Sequence, residues 1–238
     1  MNSPLRIETN GTTRVLTLDR PERRNALSAG LIADLTKALR AVDDEQDIRC
    51  VIITGAPPAF CAGLDLEEVT ASLDENSAFD ASPLFEMYET VESIGTPVLA
   101  AVNGAVMAGG AALICSCDLA VFGEDATFGY PGIRGGLVAP IIIPSLMRLV
   151  GTRRALQLLL TGETISANDA LAAGVANEVV SRARLMDRAF AIAAGFADIP
   201  HEAVRGTKAA IRRVRMWGGP APDEAARRFL GTVLRGGE

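Results

Sequence analysis

Residues 97–136 read PVLAAVNGAVMAGGAALICSCDLAVFGEDATFGYPGIRGG, and the order of side-chain sizes within them decides what the chain can become. Val98–Val102 is a short continuous apolar run, the pattern of a strand buried on both faces. Asn103-Gly104 turns it, and Ala108-Gly109-Gly110 leads into a run of small apolar residues that ends at Asp118. Glycine where a strand gives way to a helix lets the backbone approach another group closely. The first N–H groups of that helix have no partner within it and suit developing negative charge. The same glycines would also serve tight helix packing, and this segment alone leaves both readings open.

Working outward, Arg14–Leu18 alternates as a strand and stops at Asp19-Arg20-Pro21. Asn25 or Ser28 can cap a helix from about Ala29 to Val42, with Leu31, Ile32, Leu35 and Leu39 on one face. Arg49–Thr54 is a second strand, followed by the turn Gly55–Phe60 and by Cys61-Ala62-Gly63-Leu64-Asp65-Leu66. Thr70–Pro83 is polar and patternless and reads as a mobile loop, and Leu84–Ile94 is helical again. Beyond the central stretch come helices over Ile141–Val150 and Thr152–Leu160, parted by Gly151. Ser166 can cap Ala167–Ala173, and Val175–Val180 is a last short strand. From Arg184 the pattern is helical, interrupted at Ile199-Pro200 and Gly218–Pro222. Strands alternate with helices early and helices dominate late, which predicts an α/β core with a helical C-terminal extension.

The 238 residues suffice for one large domain. Almost half are apolar but only 5% aromatic, so the core must be aliphatic and packed with small residues. Twenty-three Lys and Arg against 29 Asp and Glu give a net charge of −6, which argues against a nucleic-acid surface. A late basic group, Arg205, Lys208, Arg212, Arg213 and Arg215, reads as a solvated helix face. Cys50, Cys61, Cys115 and Cys117 lack metal-ligand spacing and have a single histidine, His201, for company. They are expected to be buried thiols in a reducing compartment. No signal pattern opens the chain and no apolar run reaches membrane length, so the expectation is a cytoplasmic protein with no membrane partner.

In series, the blocks Arg20-Pro-Glu-Arg-Arg-Asn-Ala-Leu27, Phe60-Cys-Ala-Gly-Leu-Asp-Leu66, Asn103-Gly-x-x-x-x-Gly-Gly110, Cys117-Asp118 and Phe128-Gly-x-Pro131 resemble the crotonase superfamily, the enoyl-CoA hydratase/isomerase family. Leu149-Val-Gly151, Leu159-Leu-Thr-Gly162 and Ile165-Ser-Ala-x-x-Ala-x-x-x-Gly174 extend the resemblance, which covers about residues 12 to 210. It implies an α/β fold, a crotonase-like spiral of ββα units over residues 1–195. A helical C-terminal trimerisation region would follow over 196–238, shorter than usual. It further implies a coenzyme A thioester as substrate or ligand, no separate cofactor or metal, and a homotrimer or dimer of trimers.

By position, the resemblance makes the backbone N–H groups of Leu64 and Gly109 an oxyanion hole for the thioester carbonyl. Ala62, Asp65, Leu66 and Met107 fall at substrate-binding positions, with Arg23 and Arg24 available to the CoA phosphates. Asp65 also suits the start of a helix. An apolar acyl pocket is expected from Phe85, Met87, Tyr88, Met107 and Ile141. The resemblance also exposes a departure. Hydratases of the family carry one glutamate three residues after the helix-start glycine and another directly after Phe-Gly-x-Pro. Here those positions hold Ala112 and Gly132. Neither can move a proton, and general acid–base help is worth about 10²–10⁴-fold per group. Tyr130 is the candidate stand-in, as an acid or hydrogen-bond donor or as an aromatic wall. Lid carboxylates (Glu67, Glu68, Asp74, Glu75, Glu86, Glu89) are weaker candidates. An acyl-CoA enzyme without the usual water chemistry and a non-catalytic acyl-CoA-binding protein both remain open.

Overall fold

The computed structural model describes residues 3–72, 80–138 and 140–217. Asp74 and Glu75, the Gly218–Pro222 interruption and the C-terminal end therefore lie outside the described residues.

The chain opens with a hairpin, β1 (Leu5–Asn10) and β2 (Thr13–Leu18), turned at Gly11 with φ 57°. The sequence reading names only the second strand, because β1 is exposed along most of its length. Helix α1 (Ala29–Asp44) follows, and its cap is Ser28, whose hydroxyl accepts from the Leu31 N–H at 3.2 Å. Asn25 has other work. It is fully buried with φ 57°, accepts from the Arg20 N–H at 3.0 Å and donates to the Ala56 and Ala59 carbonyls, both at 2.8 Å.

A repeated unit then takes over. Strands β3 (Cys50–Gly55) and β4 (Ala59–Cys61) are followed by α2 (Leu66–Ser72) and α3 (Ser82–Ser93). Strands β5 (Val98–Val102) and β6 (Ala105–Met107) are followed by α4 (Gly109–Ser116). Strands β7 (Leu119–Gly123) and β8 (Thr127–Gly129) lead, through a 3₁₀ turn over Pro131–Gly135, to α5 (Ile143–Thr161). In each repeat the longer strand joins a six-stranded sheet, in the order β1-β2-β3-β5-β7-β10, where β10 is Glu178–Val180. The shorter strand joins a four-stranded sheet ordered β4-β6-β8-β9, where β9 is Thr164–Ser166. This is the spiral of ββα units.

The inner strands of the large sheet, β2, β3, β5 and β7, are buried on both faces, and their side chains divide with the period of two that a strand imposes. Leu16, Leu18, Val51, Ile53, Val98, Ala100 and Val102 face the main core under α1, α3 and α4. Val15, Cys50, Ile52, Leu99, Ala101 and Val121 face the opposite way, against Leu185, Ala189 and Ala193 of α7 (Leu185–Ala194). Burial on both sides is why β3 and β5 read as continuous apolar runs. Leu31, Leu35 and Leu39 of α1 are wholly buried, each worth about 2 kcal/mol of transfer free energy.

Two helix boundaries follow their sequence signals closely. Gly151, with φ 72° and ψ 163°, breaks α5 where the glycine parts the two apolar patterns. Ser166 and Asp169 form a reciprocal capping box at the start of α6 (Ala167–Ala172). The last described helix, α8 (His201–Trp217), leaves Arg212 and Arg213 exposed, as a solvated face should be, but corrects that reading for Arg205 and Lys208. Arg205 pairs with Asp43 at 2.8 Å, and Lys208 pairs with Asp118 at 2.6 Å while donating to the Thr96 carbonyl at 2.9 Å.

Candidate active site

Strands β4, β6 and β8 are mutually parallel, with Cys61 beside Val106 and Met107 beside Gly129. Their C-terminal ends therefore share one edge, and the three turns that leave them meet there. Those turns carry Ala62–Asp65, Ala108–Gly109 and Tyr130–Gly132. The topology thus brings together three blocks that the sequence keeps apart.

The first turn is aimed by a single bridge. The Leu27 N–H donates to the Gly63 carbonyl at 2.7 Å, and the Asp65 N–H donates to the Leu27 carbonyl at 3.1 Å. In that parallel geometry the amide of the intervening Leu64 points away from Leu27. It lies close to the start of α4: a Cβ built on Gly109 would lie 3.4 Å from Leu64 N, and one on Gly63 would lie 3.2 Å from Gly109 N. Gly63 holds φ 101°, and its Cβ would also come within 2.9 Å of the Ala108 Cβ. Glycine is required at 63 for both reasons.

The second turn is more strained. Ala108 has φ 48° and ψ −115°, a conformation costing about 1–3 kcal/mol for a residue with a Cβ. It is held by its N–H, which donates to the Gly129 carbonyl at 3.0 Å, and by its carbonyl, which accepts from the Ala112 N–H at 3.1 Å. The amides of Gly109, Gly110 and Ala111 thus precede the first intrahelical donor of α4, and the Gly109 amide stands next to that of Leu64. Gly110 packs on Cys61, where an added Cβ would meet both Cβ and Sγ below 3 Å.

Two side chains hold these turns, Arg20, to which the sequence reading gave no role in the site, and Tyr88, which it gave only to the pocket wall. Arg20 pairs with Asp65 at 2.9 Å and donates to the Ala26 carbonyl at 2.7 Å. Burial alone would raise the Asp65 carboxyl. The hydrogen bond from Arg20 and the backbone amides of Glu68 and Glu67 more than reverse that, so it lies below the ordinary value. Asp65 therefore anchors the turn and opens α2, and its carboxylate is directed at Arg20. Tyr88 on α3 donates to the Gly109 carbonyl at 2.8 Å. Burial, then the neighbouring Cys61 and Cys115 thiols, keep that phenol protonated well beyond its usual range. Tyr88 reads in sequence only as pocket lining, because an aromatic on an apolar helix face carries no mark of a polar task.

The third turn carries the departure. Ala112 is 2% exposed on the inner side of α4, and Gly132 is half-buried, with only the Leu137 side chain within 3.5 Å of a Cβ placed there. Tyr130 is buried, its ring edge-on to Phe128 at 6.4 Å. Its hydroxyl has no acceptor among the described residues. The Ala112 amide beside it is already committed to Ala108 and, being a donor, offers the phenolic proton nothing. Leaving a buried donor unsatisfied costs about 1–3 kcal/mol.

The remaining expectations divide. Ala62, Leu66, Arg23 and Arg24 are exposed beside the first turn, and Met107 is half-buried at the end of β6. Arg23 is ion-paired with Glu67, whereas Glu68 accepts from the Ala29 N–H at the start of α1, and Glu86 pairs with Arg40. Met87 joins Tyr88 in the core, but Phe85 is 46% exposed and Ile141 half-buried. Burial raises the Cys61 thiol to about 12, which removes it as a nucleophile at neutral pH. Asp118 is structural, accepting from the Val98 N–H at 2.8 Å. Among the described residues no three His, Cys, Asp or Glu are grouped to hold a metal, and no helix is long and apolar enough to cross a membrane.

This architecture has close counterparts. The family model described as enoyl-CoA hydratase/isomerase matches residues 8–219. A probable enoyl-CoA hydratase of Mycobacterium leprae is 36% identical over 201 residues, covering 84% of this chain and 77% of its own. The crystal structure of an enoyl-CoA hydratase subunit from Geobacillus kaustophilus superposes with a TM-score of 0.88 at 30% identity, over 98% of this chain and 90% of its own. That of an enoyl-CoA hydratase from Mycobacterium tuberculosis is 37% identical with a TM-score of 0.77, over 89% of this chain and 90% of the other. The fold, the ordered blocks and this match along nearly the whole length agree: the chain belongs to the enoyl-CoA hydratase/isomerase family.

Proposed function

We propose that the protein binds an acyl-CoA thioester and polarises its carbonyl between the Leu64 and Gly109 amides, without the paired carboxylates that add water in hydratases of the family. The observation that carries this is the side-by-side placement of those two amides, one turned outward by the Leu27 bridge and one at the open end of α4. Two fixed donors in a dry site stabilise an enolate-like oxygen by several kcal/mol, because they need not reorganise as charge develops. Leucine at 64 is no obstacle, since only its backbone is used.

Ala112 and Gly132 define the limits of the reaction. With no proton-bearing side chain at either place, rapid hydration of a simple enoyl thioester is not what this site is built for. The exposed Arg23 and Arg24 sit beside the Leu64 turn and are assigned to the CoA phosphates, the apolar Met107 to the acyl side. A trimer of such chains in the cytoplasm is the expected working form.

The test is to titrate the chain with saturated and unsaturated acyl-CoAs by calorimetry while following the conjugated absorbance of crotonyl-CoA. Micromolar binding with slow or no loss of absorbance is expected. Failure to bind any acyl-CoA would refute the thioester site, and hydration at ordinary enzymatic rates would refute its stated limits.

A further inference from the structure

We infer that the free edge of β1 is a docking surface for a second copy of this chain, the two β1 strands pairing antiparallel about a dyad at Ile7 so that their sheets join. The inference is independent of what the site above binds. Strand β1 ends the six-stranded sheet and has β2 as its neighbour there. The Asp19 N–H donates to the Pro4 carbonyl at 2.8 Å, and the hairpin pairs Arg6 with Thr17, Glu8 with Val15 and Asn10 with Thr13. The even-numbered residues of β1 therefore bond to β2, and the N–H and C=O groups of Leu5, Ile7 and Thr9 point out of the sheet. The Leu5 N–H is met by Ser3 Oγ at 3.3 Å, whereas those of Ile7 and Thr9 have no acceptor among the described residues. Such an open row of backbone groups is a template for another strand.

The strand this edge complements is its own copy. With the dyad at Ile7, Ile7 faces Ile7, Leu5 faces Thr9, and Arg6 faces Glu8 of the second copy. Odd-numbered residues then meet odd-numbered ones, so each outward amide lies opposite an outward carbonyl. Arg6 and Glu8 fall at the non-hydrogen-bonded pairs, whose Cα atoms approach to about 4.5 Å, where opposite charges across strands stabilise a sheet. Both side chains are more than half exposed, and within one chain they meet loosely, Nε to Oε2 at 3.6 Å. Glu8 shares the α7 face of the sheet with Val15, its hairpin partner, while Ile7 shares the other face with Leu16 and is 50% exposed. The dyad covers that isoleucine with its own copy. Sliding the second strand by two residues either way sets Arg6 against Arg6 or Glu8 against Glu8, so the charges admit one register. A single contact of this kind is small, but a trimer presents three, and closing them together multiplies their effect.

The experiment is sedimentation equilibrium at low ionic strength, where exposed charges are least screened. The wild type should form an assembly with an even number of chains, six where trimers form, and a monomer, a trimer or any other odd number overturns the inference. The variants are Arg6→Glu, whose edge is wholly acidic, and Glu8→Arg, whose edge is wholly basic. Each alone sets like charges across the dyad and should halve the mass. Mixed in equal amounts, the acidic edge meets the basic one at all four charged positions, and the wild-type mass should return. A contact made within one chain cannot be restored by mixing. Single variants that keep the wild-type mass overturn the inference, and so does a mixture that stays at half of it. Ile7→Pro is a separate check. It removes an outward N–H that the hairpin does not use, a place where an edge strand tolerates proline, and it too should halve the mass. An unchanged mass in that variant overturns the dyad at Ile7.

Discussion

Arg20 and Tyr88 show how single side chains brace the turns that carry two backbone amides, one through Asp65 and one through the Gly109 carbonyl. Arg20 is 18% exposed and Asp65 7%, so replacing Arg20 by Met strands a nearly buried carboxylate. A loss of about 2 kcal/mol in unfolding free energy is expected from denaturant titration, below the full cost of breaking a buried pair because the arginine keeps some contact with water. A loss under about 0.5 kcal/mol would mean the pair behaves as a surface contact. The pH dependence has a definite sign. The folded carboxyl titrates below its unfolded value, so its contribution is complete above that unfolded value, about pH 4, and disappears as pH falls through the lower folded one. Denaturation series from pH 7 to 3 should therefore show an acid limb that Asp65→Asn removes in part. Tyr88→Phe deletes the bond to the Gly109 carbonyl at a cost of about 1 kcal/mol. It should also reduce the red shift that a bound 2,4-dienoyl-CoA undergoes when its carbonyl is polarised. An undiminished shift would show that the amide needs no such support. None of this was legible beforehand, because Arg20 lies in a block whose partner is far along the chain and Tyr88 obeys an ordinary apolar helix pattern.

At the scale of elements, legibility followed length. β3, β5, α1 and α3 carry enough residues for their period to show, and Ser166 and Gly151 announce their boundaries by chemistry that needs no partner. Strands β4, β6 and β8 have three residues each and no period to read, although their parallel edge is what assembles the site. The amides of Leu64 and Gly109 were legible as a pair only through the resemblance. What could not be read is that an alanine, Ala108, holds the strained turn between them. Two substitutions there should act in opposite directions. Ala108→Gly relieves a conformation that glycine tolerates, and after allowing for glycine's freedom in the unfolded chain a gain of up to about 1 kcal/mol is expected. Gly63→Ala introduces a Cβ 2.9 Å from that of Ala108 and 3.2 Å from Gly109 N, at φ 101°. It should abolish acyl-CoA binding in calorimetry while circular dichroism still reports a folded chain. Retained affinity would place the thioester somewhere other than between these amides.

For the molecule as a whole, the proposed reading separates scaffold from chemistry, because the ββα spiral is present while positions 112 and 132 hold an alanine and a glycine. That separation predicts the outcome of placing glutamates there. Gly132 lies in the 3₁₀ turn with an ordinary φ, and its Cβ would make only van der Waals contact with Leu137. Gly132→Glu should consequently fold with stability within about 0.5 kcal/mol of the parent, as for a substitution away from any packed feature. Ala112→Glu is different, since it buries a carboxyl in the wall of α4 beside a phenol that is itself unsatisfied. Desolvation should raise that new carboxyl, as it raises the buried thiols nearby to about 12, and the variant should be the less stable of the two. If the phenol donates to it, part of that loss is recovered, and Tyr130→Phe in the Ala112→Glu background then costs more than Tyr130→Phe alone. The double variant Ala112→Glu with Gly132→Glu should hydrate crotonyl-CoA faster than the parent by at least tenfold, since each general acid or base contributes about 10²–10⁴-fold when well placed. A double variant that binds crotonyl-CoA as tightly as the parent yet leaves its absorbance untouched would mean that the two positions do not face the thioester. The edge formed by β4, β6 and β8 would then have to present its amides to a different ligand.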